Sequence, residues 1–239
     1  MILIFLLELF CFYTRRLKIN NIEIVFKSDQ FLVLNKPYGM LSHPTSHSKE
    51  ITIRDFLVNE FNLPIKDDNQ REGIVHRLDR VTSGLMVCVL DENIFAYFQS
   101  QFKNRLINKK YRAIVEGYPH TKSGEINLPL AKSKKNRKKR EVNKTGREAI
   151  TKFEIVNRTE EKALLELDLI TGRNHQIRAH LEYLKTPIVN DQLYGAKRDK
   201  NVPENAICLQ SYHLGFTVNN EDYEFEIDMP DYFSSIMNM

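Results

Sequence analysis

The stretch from Gly84 to Leu90, Gly-Leu-Met-Val-Cys-Val-Leu, is a near-continuous apolar run and reads as a buried strand. Around it lie further strand signals. Ile22 to Phe26 and Phe31 to Leu34 are β-rich runs separated by the turn signal Lys27-Ser28-Asp29-Gln30. Lys110 to Glu116 alternates as a strand, and strand-like segments return at Ala149 to Ile155 and Lys162 to Ile170. Short strands are expected around Ile207 to Leu209, Gly215 to Val218 and Tyr223 to Ile227. Helical spacing is confined to Thr52 to Phe61, with Ile53, Phe56, Leu57 and Phe61 on one face, to Asn93 to Phe102, and to His175 to Leu184. Strands in this excess over helices predict an α+β chain with a mainly antiparallel sheet. The 239 residues suffice for one sizeable domain, or for two lobes around a cleft, and show no repeat, heptad array or long linker.

The net charge of +4 is informative only once it is located. Nine of the 35 basic residues fall between Lys132 and Arg147, with one of the 31 acids, so the remainder carries 26 basic against 30 acidic residues. One segment therefore holds the cationic character, and Lys134, Lys135, Arg137, Lys138, Lys139 and Arg140 are its densest part. It has almost nothing apolar to bury and reads as a hairpin insertion or mobile loop. Such a cluster suits a polyphosphate backbone, or it is a solvated loop that only aids solubility.

Three cysteines without C-x-x-C spacing, Cys11, Cys88 and Cys208, argue against a disulfide framework or a cysteine-based zinc site and fit a reducing cytoplasm. Met1 to Tyr13 is strongly apolar, but it is shorter than the ~20 residues a membrane span needs and is interrupted by Glu8. It also lacks the basic start and small-residue cleavage site of a secretory signal, so no membrane association is expected.

Three segments carry residues able to do chemistry. Gly73 to Leu85 sets Asp79 among His76, Arg77 and Arg80, neighbours that favour the ionised carboxylate a nucleophile or general base needs. The competing reading is a structural ion pair between Asp79 and Arg77 or Arg80. Leu169 to Leu181 joins Thr171-Gly172 to a polar helix start where backbone N–H groups can face an anion. Ile177 and Leu181 belong on its buried face, with Arg178 beside them. His175 and His180, five apart, do not form a zinc pair and read as core or surface histidines. Lys109 to Gly117 places Tyr111 among basic residues on a strand, where its ring is either an edge-packing tyrosine or a face for a flipped base.

Together these segments resemble the RluA-type pseudouridine synthases. Asn35-Lys36-Pro37-x-Gly39 with His43-Pro44 is similar to the family's opening motif, and His76-Arg77-Leu78-Asp79-Arg80-x-Thr82-Ser83-Gly84-Leu85 to its catalytic segment. Lys109-x-Tyr111-x-Ala113-x-Val115-x-Gly117 and Thr171-Gly172-Arg173-x-His175-Gln176-Ile177-Arg178-x-His180-Leu181 resemble the two later motifs, in the same order. Gly146 and Ala149-x-Thr151 follow the basic stretch as in the family, and the likeness runs from about Ile22 to about Asp231.

The resemblance implies an α+β fold with a mixed, mainly antiparallel β-sheet flanked by helices and loops, a central cleft that binds structured RNA, ribosomal or transfer RNA, and an isomerase that breaks C1′–N1 of a uridine and forms C1′–C5. Asp79 would be the catalytic carboxylate, attacking C6 or C1′ or removing a C2′ proton. Tyr111 would stack on the uracil, Arg178 would pair with Asp79, and Arg80 would enter the RNA in place of the extruded base. No metal or cofactor is implied, in line with the lack of P-loop, Rossmann or zinc spacing. The expected organisation is a short apolar extension over residues 1–21, too short for an S4 domain, and a catalytic domain over 22–239 with the basic insertion at 132–147; a cytoplasmic monomer is expected. Two departures stand out: Asn190 where relatives usually have Gly, and Leu209-Gln210-Ser211 in place of Leu-His-Ala. Both are expected to lie away from the chemistry and to bear on packing or RNA fit.

Overall fold

The computed structural model describes residues 17–45, 49–64 and 72–238, so the apolar segment at residues 1–13 lies outside the described residues. Twelve strands and four α-helices are described. The strands are β1 (Leu17–Ile19), β2 (Ile22–Lys27), β3 (Phe31–Lys36), β4 (Ser83–Val89), β5 (Asn108–Glu116), β6 (Ser123–Asn127), β7 (Leu130–Lys132), β8 (Arg140–Val142), β9 (Ile150–Arg158), β10 (Lys162–Leu169), β11 (Leu209–Val218) and β12 (Glu221–Glu226). The helices are α1 (Ile53–Phe61), α2 (Phe95–Lys103), α3 (Gln176–Tyr183) and α4 (Asp231–Met237).

One ten-stranded sheet runs β1-β2-β3-β4-β11-β5-β10-β9-β6, with β12 also on β11. Only the β4–β11 pairing is parallel; the rest are antiparallel, so the expected α+β class with a mixed, mainly antiparallel sheet is what forms. The central strands have two apolar faces because both are covered. Leu85, Val87 and Val89 of β4 join Phe31 and Val33 of β3 in one core cluster. Met86 and Cys88 join Leu32 and Leu34 in a cluster on the opposite face. That two-sided burial is why Gly84 to Leu90 does not alternate.

Local chemistry sets the helices. Thr52 caps α1 through a reciprocal capping box with Asp55. Ile53, Phe56 and Leu57 are buried as their spacing predicts. The C-terminal strands depart from expectation: the two short runs from Leu209 to Val218 are one ten-residue strand. Ser211 and His213, between those runs, are polar but buried, and the register shift there absorbs an irregularity rather than ending the strand. β1, β6 and α4 carried no strong periodic signal.

The basic stretch is an anchored hairpin and not a loose loop. β7 pairs with β8, and Leu130, Ala149, Ala179 and Tyr194 form a small apolar cluster beneath it, with Val142 packed against them. The polar run of Lys134 to Lys139 is the turn of this hairpin.

Gly84 fixes the seam between β4 and β11. Its φ is +119°, and a Cβ there would lie 2.2 Å from the backbone oxygen of Ser211. Gly84→Ala is therefore expected to destabilise the protein by roughly 3 kcal/mol or more, from combined backbone strain and overpacking. Denaturant unfolding monitored by circular dichroism measures this; a midpoint within error of the parent would contradict the close approach.

Candidate active site

The loop that bears Asp79 is pinned from the backbone outward. Ser42 Oγ donates to the Leu78 carbonyl at 3.0 Å and accepts from the Leu78 N–H at 3.2 Å. Thr82 N–H donates to the Asp79 carbonyl at 3.1 Å, and Gly39 N–H donates to the Arg80 carbonyl at 2.7 Å. Beneath it, the fully buried Lys36 directs Nζ to the carbonyls of Pro37 and Met40 at 2.8 Å each and of Arg80 at 3.4 Å. Three acceptors match the three donors of an ammonium. Burial nevertheless lowers its pKa to about 7, with Asp79 opposing the shift. The Asn35-Lys36-Pro37-x-Gly39 segment is thus the cradle of the Asp79 loop.

Asp79 itself is gripped from α3. Arg178 Nη1 donates to Asp79 Oδ2 at 3.1 Å, while Nε and Nη2 donate to the two oxygens of Asp191 at 2.7 and 2.9 Å. The guanidinium lies 4.9 Å from the centroid of the Tyr194 ring. Arg178 is 5% exposed, and its pKa is raised because Asp191 and Asp79 together outweigh the cost of burial, the largest single influence. His175 Nε2 is 3.8 Å from Asp79 Oδ2, and its Nδ1 is 3.1 Å from the Tyr194 hydroxyl. Burial lowers the pKa of His175, so the ring is neutral near pH 7.

The Thr-Gly-Arg segment positions this helix through Gln176. Its Oε1 accepts from Thr171 Oγ1 at 2.7 Å and from Arg173 N–H at 2.9 Å. Its Nε2 donates to the Ile150 carbonyl at 3.0 Å and to Thr151 Oγ1 at 2.9 Å. Every bonding position of the amide is used, which fixes α3 against β9. His180 is a core histidine, 3.0 Å from the Leu128 carbonyl through Nε2 and 2.9 Å from Thr151 Oγ1 through Nδ1.

These groups open on a cleft of about 330 Å³ whose lining includes Asp79, Tyr111, Arg178, His175 and Arg140. That volume is within the ~300–1,000 Å³ typical of ligand sites. Tyr111 sits on β5 opposite Ser211 of β11 and is only 6% exposed. Burial, then a hydrogen bond with Ser211 acting the other way, leaves its phenol with a raised pKa and hence neutral. Apolar walls come from Leu169, Ile177 and Leu209.

Asp79, Tyr111 and Arg178 therefore converge on one cleft. Arg80 does not line it: Nε donates to the Gly39 carbonyl at 2.9 Å, and Nη2 pairs with Glu50 at 2.9 Å on the rim. Of the basic residues in the hairpin, Arg140 reaches the cleft, while Lys139 is paired with Glu182 at 2.9 Å and lies over the Tyr194 ring. Lys134, Lys135, Arg137 and Lys138 are exposed.

Several expectations need correction. The neighbours of Asp79 in sequence do not pair with it: Arg77 meets His43 at 3.0 Å, and His76 is half-buried and stacked on Phe102, its Nε2 accepting from Val87 N–H at 3.0 Å. His175 belongs to the site rather than to the core or open surface. The segment around Asn190 and the Leu209-Gln210-Ser211 run are not remote from the chemistry, since Asp191 clamps Arg178 and Ser211 faces Tyr111. Asn190 has φ of +70°, the conformation that suits Gly. Its side chain stitches the neighbouring loop, donating to the Ala206 carbonyl at 2.6 Å and accepting from Arg198 at 3.0 Å. Asp191 and Tyr194 went unremarked as site residues; the signal was an acid and an aromatic in a quoted motif, with no spacing to link them to Asp79.

The family model described as RNA pseudouridylate synthase matches residues 30–183. The chain belongs to the RluA-type pseudouridine synthase family. It is 35% identical over 207 residues to the ribosomal large subunit pseudouridine synthase D of Borreliella burgdorferi, covering 85% of this chain and 63% of that protein. It is 35% identical to an uncharacterized RNA pseudouridine synthase of Mycoplasma genitalium, covering 79% of this chain and 62% of that one. The chain thus spans somewhat under two thirds of the length of these two relatives. The human RNA pseudouridylate synthase domain containing 1 superposes with a TM-score of 0.72 at 22% identity, covering 93% of this chain and 89% of that chain, a likeness of fold.

The half-buried His76, stacked on Phe102, makes an acid-stability prediction. Burial, reinforced by the charge of Lys109, lowers its pKa from 6.5 to about 3. The unfolded chain then binds a proton that the folded protein refuses between those values, so stability is full above pH 6.5 and is lost as pH falls toward 3. The contribution lost by about pH 5 is ~2 kcal/mol, and His76→Gln should lose correspondingly less on the same acidification. Urea unfolding of both proteins at the two pH values tests it; parallel losses would refute a neutral His76.

Proposed function

We propose that the protein isomerises uridine to pseudouridine in structured RNA, with Asp79 as the catalytic carboxylate. The observation that carries this reading is the arrangement of one partly exposed carboxylate, held by a buried guanidinium, in a cleft that also presents an aromatic ring. A carboxylate so held is aimed into the cleft, as nucleophilic or general-base work requires. Tyr111 offers stacking to a uracil extruded into the cleft, worth roughly 1–3 kcal/mol against the cost of unstacking it. Arg80, already at the rim on a mobile-length side chain, exchanges Glu50 for the RNA and fills the space left by the flipped base.

The chemistry balances without a co-reactant. The C1′–N1 bond breaks, the uracil turns within the cleft, C1′–C5 forms, C5 releases a proton and N1 gains one. The apolar walls of Leu169, Ile177 and Leu209 keep the freed base from exchanging with solvent. The exposed lysines and arginines of the hairpin contact RNA phosphates, which position without reading sequence. Ribosomal RNA of the large subunit is the favoured substrate, in keeping with the name of the Borreliella relative, with transfer RNA second. Residues 22–239 act as the catalytic domain, in a cytoplasmic monomer.

Among the described residues no helix is long and apolar enough to cross a membrane. A glycoside hydrolase reading is disfavoured because the second acid of the site, Asp191, is fully engaged by Arg178 and is 1% exposed, out of reach as a proton donor.

Asp79→Asn should abolish pseudouridine formation on total RNA, read by site-resolved pseudouridine mapping. Asp191→Asn should lower kcat by about a hundredfold through loss of Arg178 alignment, with KM changed less. Retained modification at every site in Asp79→Asn would overturn the catalytic assignment.

A further inference from the structure

Three arginines from three separate segments are set about Glu148, outside the network that holds Asp79. Arg105 lies in the turn between α2 and β5 with φ of +62°, Arg147 follows the β7–β8 hairpin, and Arg173 lies in the turn that opens α3. Arg105 Nη2 pairs with the Glu148 carboxylate, Arg173 Nε donates to the Glu148 backbone carbonyl at 2.9 Å, and Arg147 is its chain neighbour. The backbone of Arg147 is fixed by reciprocal hydrogen bonds of 2.9 Å with Leu130. Arg173 also lines the cleft that contains Asp79.

The charges do not cancel. Among the described residues Glu148 is the carboxylate in ion-pair contact with this group, and it contacts only Arg105. The pKa of Arg173 is lowered, first by burial and then by the positive fields of Arg147 and Arg105, with Glu148 opposing. Like charges brought together in this way cost stability unless an anion joins them. The Arg105 and Glu148 side chains are 41% and 53% exposed, so a ligand can reach them and the pair is weakly held. Planar guanidinium forks suit the oxygens of a phosphate.

We propose that Arg105, Arg147 and Arg173 form a binding site for one backbone phosphate of the RNA strand that enters the cleft, and that Glu148 fills this site as an internal counter-anion until the phosphate displaces it. The proposal rests on the reading that RNA is the substrate. It assigns the phosphate contact next to the chemistry to this triad, and it gives Glu148 a defined role: lowering affinity for RNA and sharpening the distinction between a strand that fits the cleft and one that only touches the hairpin.

The test is fluorescence anisotropy with a labelled RNA stem-loop containing uridines in its loop, titrated from roughly 50 to 200 mM salt. Arg105→Gln/Arg147→Gln should bind about tenfold more weakly at low salt, with its log–log salt slope reduced by about 0.7, the value for one single-strand phosphate. Glu148→Gln should bind the RNA about threefold or more tightly, since the competitor is gone. In the Arg105→Gln/Arg147→Gln background the Glu148→Gln gain should vanish. An additive gain there would mean a general charge effect and would overturn the proposal, as would a Glu148→Gln protein that binds no more tightly. Glu148 is exposed, so this variant is expected to fold, and its thermal midpoint verifies that. Failure of the underlying reading looks different: the parent protein would then neither bind the stem-loop with a salt slope nor form pseudouridine in total RNA.

Discussion

Everything at the cleft depends on one guanidinium serving two carboxylates. Arg178 is 5% exposed, so its charge has lost most of its hydration and must be compensated inside the protein. Asp191 does this with two hydrogen bonds of 2.7 and 2.9 Å, and the Tyr194 ring covers the cation. The geometry leaves Nη1 for Asp79 at 3.1 Å. Asp79 is thereby held by one contact rather than two, and its side chain stays 15% exposed at the cleft. A carboxylate taken up bidentately would have fewer oxygen lone pairs left for a substrate. Asp191 saturates the arginine so that Asp79 need not, and a Lys at position 178 could not divide itself in that way.

The sheet topology brings these groups together. β4 and β11 are the parallel pair, so both strands begin at the same end of the sheet. The segments that lead into them, one carrying Asp79 and the other Asp191, accordingly emerge on a common edge. β5 runs antiparallel to β11 and sets Tyr111 across from Ser211. The glycine at position 84 permits the backbones of β4 and β11 to approach at that edge, where a Cβ would collide with Ser211. Among the described strands, a mainly antiparallel sheet therefore has a single parallel seam, at the edge where Asp79, Arg178 and Tyr111 converge.

Much of this architecture was legible in the sequence, and the unread parts share a cause. β2, β3, β4, β5 and α1 follow from apolar periodicity and a capping box, which are local. The grouping of Asp79, Tyr111 and Arg178 followed from family motifs, not from spacing. What local patterns could not show is which charge pairs with which. Adjacent basic residues suggested that Arg77, Arg80 or His76 tunes Asp79, but the backbone turn sends Arg77 to His43, Arg80 to Glu50 and His76 onto the Phe102 ring. The partners that matter are 99 residues away in Arg178 and, through it, in Asp191. Ion pairing across loops is a property of topology, and Ser211 facing Tyr111 is another case, since only cross-strand register brings the two together.

The distribution of charge has a physical logic of its own. The buried guanidinium of Arg178 acts over a few ångströms in a medium that screens it little, so it can fix the direction of one carboxylate. Exposed cations on the β7–β8 turn act through solvent and are screened over ~8–10 Å at moderate ionic strength, which suits them to gather a polyanion without choosing among sequences. A cation cannot serve both ends well: exposure that frees it for phosphate weakens its hold on Asp79. Arg140 and Lys139, at the base of the hairpin, mark the boundary. Arg140 lines the cleft, and Lys139 is drawn inward to Glu182 and the Tyr194 ring, so the hairpin is fastened to the same tyrosine that covers Arg178. The short apolar cluster of Leu130, Ala149, Ala179 and Tyr194 braces that attachment, so a ligand held by the hairpin would be placed relative to Asp79.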